Sequence, residues 1–115
     1  MAEAWWVVDF HDDFESEFED MEDDVQDTLL AAAPYVDTLK GSKHANMKEL
    51  RFDTNTQVWR AAFAFDPERR AIILTAGAKQ GSNQALFYER LIKKADARFD
   101  KHLEALSAAR KRRKD

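Results

Sequence analysis

The stretch that decides the fold runs from Met47 to Ala76 and reads, in succession, MKELRFD, TNTQ, VWRAAFAF, DPERR and AIILTA. In residues 47–53 and 58–65 the side chains alternate in character with a period of two, which is typical of β-strands. Turn-forming residues follow each of these segments, and the last segment is a short apolar run suited to a buried strand. The stretch therefore predicts a three-stranded antiparallel meander.

The alternation also assigns charged side chains to the two faces of this meander. Lys48 shares a face with Leu50 and Phe52, whereas Arg51 points the other way. On the next strand, Arg60 points away from the face that carries most of the aromatic side chains. The pattern predicts that Arg51 and Arg60 lie on neighbouring strands and on the same face.

The segment before the meander predicts a strand and two helices. Residues 4–10 form an apolar run rich in Trp and Val, which indicates a buried first strand. Asp12 or Asp13 is suited to cap a helix over about residues 12–32, which Pro34 ends, and a second, shorter helical turn is expected over about residues 35–39. The apolar stripe of the first helix consists of Phe10, Phe14, Phe18, Met21, Val25 and Leu29.

After the meander, residues 77–83 predict a flexible polar connection into a last helix over about residues 83–110. The basic residues at about 108–115 are expected to fray. The whole pattern predicts an α+β fold in a single domain, residues 1–115. The apolar stripe of the last helix consists of Phe87, Leu91, Ala95, Phe99, Leu103 and Leu106.

Charge is sorted along the chain. Residues 1–39 hold 13 Asp and Glu and no Lys or Arg, whereas residues 40–115 hold 18 Lys and Arg and 9 Asp and Glu. The overall formal charge of -4 conceals this asymmetry. Such a separation favours a basic surface for an anionic partner, with mutual neutralisation of the two halves as the alternative.

The composition narrows the classes of function. The chain has no cysteine, so disulfides, thiolate nucleophiles and cysteine-based zinc sites are excluded, and a reducing cytoplasm is the expected location. The beginning of the sequence lacks the pattern of a signal peptide. The three histidines, His11, His44 and His102, have no metal-ligand spacing, and neither a metal nor a cofactor is expected.

One group of residues has the chemistry of a phosphate site. Lys48, Arg51, Arg60 and Lys79 are expected to converge, with Tyr88 at the start of the last helix. Arg offers a planar fork to phosphate oxygens, Lys offers a point charge, and Tyr offers a ring for base stacking or a hydroxyl for proton exchange. The alternative is a solvated sheet face whose cations pair with Glu49, Asp53 or the acidic helix.

Three segments carry a resemblance to a known family: MKELRF (47–52), VWRAAFAFD (58–66) and IILTAGAK (72–79). They resemble the HigB-like, phage-derived branch of the RelE/ParE toxin superfamily, in which a Glu-Leu-Arg strand precedes an Arg-hydrophobic-hydrophobic strand and a hydrophobic strand ending in Gly and Lys. The resemblance is good over about residues 47–95. It implies a RelE-like fold with an N-terminal strand, two helices, the antiparallel meander and a C-terminal helix.

The resemblance implies the toxin of a type II toxin-antitoxin system, which cleaves mRNA on the ribosome through attack of the 2′-hydroxyl on the adjacent phosphate. A cognate antitoxin, of the helix-turn-helix type, is the implied protein partner, and the oligomeric state is left open. Two sets of residues follow from the match and from the basic last helix. The catalytic set is Arg51, Arg60, Lys79 and Tyr88, and the RNA-binding set is Lys48, Arg90, Lys93 and Lys94.

Other functions stay open at this stage. A RelE-fold chain that has lost cleavage, or a ParE-like inhibitor of a target other than RNA, has the same fold. A DNA-binding regulator built on the last helix is a weaker alternative, because no helix-turn-helix is evident. The acidic first helix would repel RNA unless it faces away from the basic residues, or it would mask them.

Overall fold

The computed structural model describes residues 7–31, 36–79, 81 and 83–114. It has the predicted α+β architecture, an open five-stranded mixed sheet with helices on both faces. In chain order the elements are β1 (Val7–Phe10), α1 (Asp12–Glu19), α2 (Asp23–Leu30), β2 (Val36–Thr38), β3 (Met47–Asp53), β4 (Val58–Phe65), β5 (Arg70–Ala78) and α3 (Gln84–Lys114).

The sheet has the strand order β1-β5-β4-β3-β2. The predicted meander is confirmed, because β3 pairs with β4 and β4 with β5, both antiparallel. β1 pairs with β5 in parallel and lies at the edge of the sheet, with Val8 63% exposed, so the prediction of a buried first strand is wrong. An edge strand has a neighbour on one side alone, which leaves Val8 open to solvent. The predicted start of this strand, residues 4–6, lies outside the described residues.

Each face of the sheet carries its own apolar core. Strand side chains alternate between the faces, so β3, β4 and β5 contribute to both cores. The core beneath α1 and α2 contains Phe14, Val25, Leu29, Leu50, Phe52, Phe63 and Ile73. The core beneath α3 contains Met47, Ala62, Ala64, Ile72, Leu74, Leu91, Ala95 and Phe99.

The single helix predicted over residues 12–32 is two helices in the structure. α1 ends at Glu19, and the side-chain amide of Gln26 donates to the carbonyl oxygen of Phe18 at 2.7 Å. This bond satisfies a carbonyl that the end of α1 leaves unpaired, and it favours the break. The cap also differs from the prediction, because His11 rather than Asp12 or Asp13 accepts the Asp13 amide hydrogen.

The predicted second helical turn is the strand β2. Val36, Asp37 and Thr38 pair with Leu50, Glu49 and Lys48 of β3. The extended backbone of β2 supplies hydrogen-bond partners for the outer edge of β3, and the β-branched residues Val36 and Thr38 suit a strand. The predicted helix end at Pro34 lies outside the described residues.

The last two elements are longer than predicted. β5 continues through Gly77 and Ala78, so the polar connection begins at Lys79, whose amide donates to the Val58 carbonyl oxygen at 2.6 Å. α3 extends to Lys114, beyond the predicted end at about residue 110, and a run of Ala, Arg and Lys at the negative end of the helix dipole favours this length. That the residues at about 108–115 fray stays a prediction. Within the described ranges, no helix is both long and apolar enough to cross a membrane.

Candidate functional site

Arg51 and Arg60 lie directly opposite each other on β3 and β4. Both side chains project from the face that packs against α3, because they alternate with Leu50 and Ala61 of the other core. Side chains in direct cross-strand register have Cβ atoms about 5 Å apart, and two like charges at that spacing destabilise a sheet. The fold therefore concentrates positive charge at one point of its surface.

Arg51 is held on its inner side by acidic neighbours. Its Nε donates to Oε1 of Glu49 at 2.9 Å, and Nη2 lies 3.5 Å from Oδ2 of Asp37 on β2. The Glu49 hydrogen bond raises the pKa of the Arg51 guanidinium. The Arg51 side chain is still 53% exposed, so it remains accessible to a ligand.

Arg60 is anchored by the last helix. Its Nε donates to the phenolic oxygen of Tyr88 at 3.2 Å, and Nη1 donates to the carbonyl oxygen of Trp59 at 2.8 Å. Burial raises the pKa of the Tyr88 hydroxyl and the Glu49 carboxylate raises it further, although the hydrogen bond from Arg60 acts in the opposite direction. Tyr88 therefore joins α3 to the charged face of the sheet.

Lys79 completes the group at the end of β5. Its Nζ lies 6.0 Å from the centre of the Tyr88 ring, within the range of a cation–π contact. The structure thus brings together the four residues of the predicted catalytic set, around the ring of Tyr88. We call Arg51, Arg60, Lys79 and Tyr88 the basic cluster.

Lys48 is not part of the basic cluster, so the prediction that it converges with the other cations is wrong. It stands opposite Phe63 of β4, on the face covered by α1 and α2, and its Nζ donates to Oγ1 of Thr38 at 3.3 Å. The reason is the strand period, since Lys48 and Arg51 are an odd number of positions apart.

The chain matches the family of phage-derived Gp49-like proteins over residues 6–100. It belongs to that family. The resemblance to the HigB-like, phage-derived branch of the RelE/ParE superfamily is thereby confirmed. No solved structure matches the chain.

Two relatives of this Gp49-like chain come from Mycobacterium tuberculosis, and both are named as candidate toxins. The chain is 45% identical to HigB2 over 83 residues, which are 70% of this chain and 40% of that protein. It is 44% identical to HigB3 over 70 residues, which are 61% of this chain and 59% of that protein. The matched part of the chain therefore spans about half the length of these relatives.

The predicted RNA-binding residues of α3 lie on more than one side of the helix. Arg90 and Lys94, one helical turn apart, line a groove of about 350 Å³ together with Asn83 and the backbone around Gly77. Gly77 is the cross-strand partner of Arg60, so this groove adjoins the basic cluster of the Gp49-like chain. Lys93 is exposed and does not line the groove.

Glu49 lies beside the basic cluster, although sequence reasoning assigned it only to charge pairing. It is 4% exposed, and among the described residues its Oε2 has no hydrogen-bond partner. With Arg51 and Tyr88 it lines a pocket of about 310 Å³. Its position two residues before Arg51 places it on the same face, beneath the apolar stripe of α3, and this signal was present in the sequence.

The acidic helices of the Gp49-like chain face away from the basic cluster. α1 and α2 pack on the opposite face of the sheet, so they do not mask the cations. Two acids of α1 contact α3: Glu17 accepts two hydrogen bonds from Arg98 at 2.9 and 2.7 Å, and Asp13 pairs with Lys101 at 3.1 Å. The two faces of the molecule therefore differ in charge.

The histidines have structural partners. Nδ1 of His11 caps α1, and burial lowers the pKa of its ring. His44 lies 2.8 Å from Asp100, and His102 donates to the buried carboxylate of Asp66 at 2.8 Å. In the part of the chain that the structure describes, no group of three or more His, Asp or Glu residues could hold a metal ion.

Proposed function

We propose that this Gp49-like chain is the toxin of a type II toxin-antitoxin system and that it is an endoribonuclease that cleaves mRNA on the ribosome. The family and the names of the two relatives support a toxin. The observation that carries the proposal of RNA cleavage is the direct opposition of Arg51 and Arg60, with Tyr88 hydrogen-bonded to Arg60.

Two guanidinium groups in direct register are costly in a sheet unless an anion lies between or above them. Arg51 has an acidic neighbour in Glu49, but Arg60 bonds only to the neutral oxygens of Tyr88 and Trp59 among the described residues. The contacts on Arg60 use Nε and Nη1 and leave Nη2 for a ligand. A phosphate is an anion whose oxygens accept strong hydrogen bonds from such guanidinium nitrogens.

The chemistry follows from this placement. The 2′-oxygen of a nucleotide attacks the adjacent phosphorus and loses its proton, the bond from phosphorus to the 5′-oxygen breaks, and the leaving oxygen takes up a proton. Charge builds on the non-bridging phosphate oxygens, where Arg51, Arg60 and Lys79 stabilise it. The ring of Tyr88 offers a surface on which an unstacked base packs.

The ribosome is the proposed source of substrate alignment, because holding the 2′-oxygen in line with the scissile bond supplies much of the rate enhancement in such reactions. The proposed protein partner is a cognate antitoxin of the helix-turn-helix type. The proposed location is the cytoplasm, where translated mRNA is found.

Induced expression with two readouts tests the proposal. The native chain is expected to stop growth and amino-acid incorporation without DNA damage, and Arg60→Ala is expected to restore both. Arg110→Ala, which removes an exposed arginine at the far end of α3, is the matched control and should stay toxic. DNA damage with intact translation would instead indicate a ParE-like inhibitor, and undiminished toxicity of a folded Arg60→Ala protein would reject the site.

A further inference from the structure

The hydrogen bond between Arg60 and Tyr88 does not use the hydroxyl proton of Tyr88. An arginine Nε can only donate, so in its bond with Arg60 the phenolic oxygen is the acceptor. The hydroxyl hydrogen of Tyr88 must therefore point toward a different acceptor. Because this hydroxyl is partly buried between β4 and α3, few groups can accept it.

Glu49 is the candidate acceptor, because it lines the same pocket as Tyr88. Its side chain is 5% exposed, and Oε1 already binds Arg51. Oε2 is buried without a hydrogen-bond partner among the described residues. An unpaired buried carboxylate oxygen is costly, so a donor beside it has a clear energetic benefit.

We propose that Glu49 is a positioning residue that anchors both arginines of the basic cluster, Arg51 through its direct hydrogen bond and Arg60 through the hydroxyl of Tyr88. In this arrangement Arg60 donates to Tyr88, Tyr88 donates to Glu49, and Arg51 also donates to Glu49. Each guanidinium is held by its Nε, and among the described residues Nη2 of Arg60 and Nη1 of Arg51 are left for the ligand. This inference rests on the proposed function for its role in cleavage, whereas the contact itself can be measured on the folded protein alone.

The charged groups around the Tyr88 hydroxyl come from four elements. β3 contributes Glu49 and Arg51, β4 contributes Arg60, and Lys79 follows β5. Asp37 of β2 and Lys40 line the same pocket. Of the two carboxylates, Glu49 is the buried one, so its charge is the least screened by solvent.

A titration of Tyr88 tests the contact without any assay of activity. The chain has two tyrosines, so Tyr35→Phe leaves Tyr88 as the sole source of tyrosinate absorbance. Because the negative charge of Glu49 disfavours the phenolate, Glu49→Gln is expected to lower the midpoint by about one pH unit. Glu89→Gln, an exposed neighbour of Tyr88 on α3, is the matched control and should not shift it.

An unchanged midpoint in Glu49→Gln, or the same shift in both variants, would overturn the proposal. Circular dichroism at each pH checks that the protein is still folded where the midpoint is read. If Glu49→Gln does not fold, Tyr88→Phe supplies a second test, because loss of the hydroxyl should lower the cleavage rate about tenfold while the affinity for mRNA-programmed ribosomes is retained.

A double-mutant cycle tests the role in cleavage. Gln at position 49 can still offer its oxygen to Arg51 but presents only an amide NH2 to Tyr88, so Glu49→Gln should also slow single-turnover cleavage about tenfold. The combined Glu49→Gln and Tyr88→Phe variant should be no slower than the slower single variant, because both break one chain of contacts. Multiplied losses would contradict the proposal. If the native chain cleaves no mRNA, the proposed function fails, and the titration still decides the contact.

Discussion

Nε of Arg60 donates to the phenolic oxygen of Tyr88 at 3.2 Å, joining the second strand of the meander to the first turns of the last helix. The two residues are 28 positions apart in the chain and belong to different elements. The contact fixes one edge of the guanidinium beneath α3. Nη1 is held by the carbonyl oxygen of Trp59, so among the described residues Nη2 is the terminal nitrogen left without a partner.

Replacement of Arg60 by Lys tests whether the fork or the charge matters. Lysine keeps the positive charge but cannot bind Tyr88 and Trp59 while it also faces a phosphate. We expect Arg60→Lys to lower the single-turnover cleavage rate about 10- to 100-fold on programmed ribosomes. Arg110→Lys is the control with an unchanged rate, and full activity of Arg60→Lys would reduce the role of Arg60 to that of a point charge.

Replacement of Lys48 by Ala tests the assignment of faces. Lys48 bonds to Thr38 on the side of α1 and α2, away from the basic cluster. We therefore expect Lys48→Ala to cleave mRNA within about twofold of the native rate, because a surface change away from the site has little effect. A loss as large as that expected for Arg60→Lys would show that RNA reaches the other face.

RNA binding in the groove beside the basic cluster should depend on the salt concentration. If Arg90 and Lys94 contact two phosphates of a single strand, Arg90→Ala with Lys94→Ala should lower the slope of log affinity against log salt by about 1.4. Filter binding of a single-stranded RNA over a range of salt concentrations measures the slope. Lys111→Ala with Arg112→Ala removes two exposed cations at the far end of α3 as a control. Equal slopes for both double variants would mean that the groove does not bind the backbone.

The lowered pKa of Asp66 predicts that the stability of the folded protein depends on pH. Burial opposes the charge of Asp66, yet hydrogen bonds from His102 and from the backbone of Arg70 and Glu68 outweigh it, so its pKa is lowered from 3.8. A lowered folded pKa stabilises the protein above the unfolded pKa, and this contribution is lost as the pH falls through the folded value. The native protein should thus lose stability in acid.

Urea denaturation of Asp66→Asn checks this effect. At neutral pH the variant should lose about 1–3 kcal/mol of unfolding free energy, because the charge-assisted bond with His102 is lost. The difference from the native protein should shrink as the pH falls below the unfolded carboxyl value of about 3.9 and on through the lower folded value, where native Asp66 takes up its proton. Asp27→Asn, at an exposed position of α2, should leave the pH dependence unchanged. A difference that stays constant with pH would contradict the assignment.

The meander was predictable because the alternation of residues along each strand shows which face of the sheet each side chain lies on. Alternation placed Arg51 and Arg60 side by side, and the register confirms that pairing. The same rule excludes Lys48 from the cluster, and grouping it with the other cations overlooked that rule. The sequence places Glu49 on the same face as Arg51, but its burial could not be predicted, because burial of a carboxylate depends on a tertiary contact.

The elements before the meander were less predictable, for a related reason. The break between α1 and α2 depends on a hydrogen bond from Gln26 back to Phe18, and no local periodicity encodes such a bond. β2 is three residues long, too short to show a period, and its conformation follows from pairing with β3. Tertiary partners decide the state of such short segments.

Primer-extension mapping of cellular mRNA after brief induction tests the central claim most directly. The native chain and Arg110→Ala are expected to produce cuts within translated regions, in register with the reading frame, and these cuts should disappear with Arg60→Ala. In-frame cuts that persist in a folded Arg60→Ala protein would contradict the assigned site. Intact mRNA in cells whose growth the native chain has stopped would contradict the proposed ribonuclease itself.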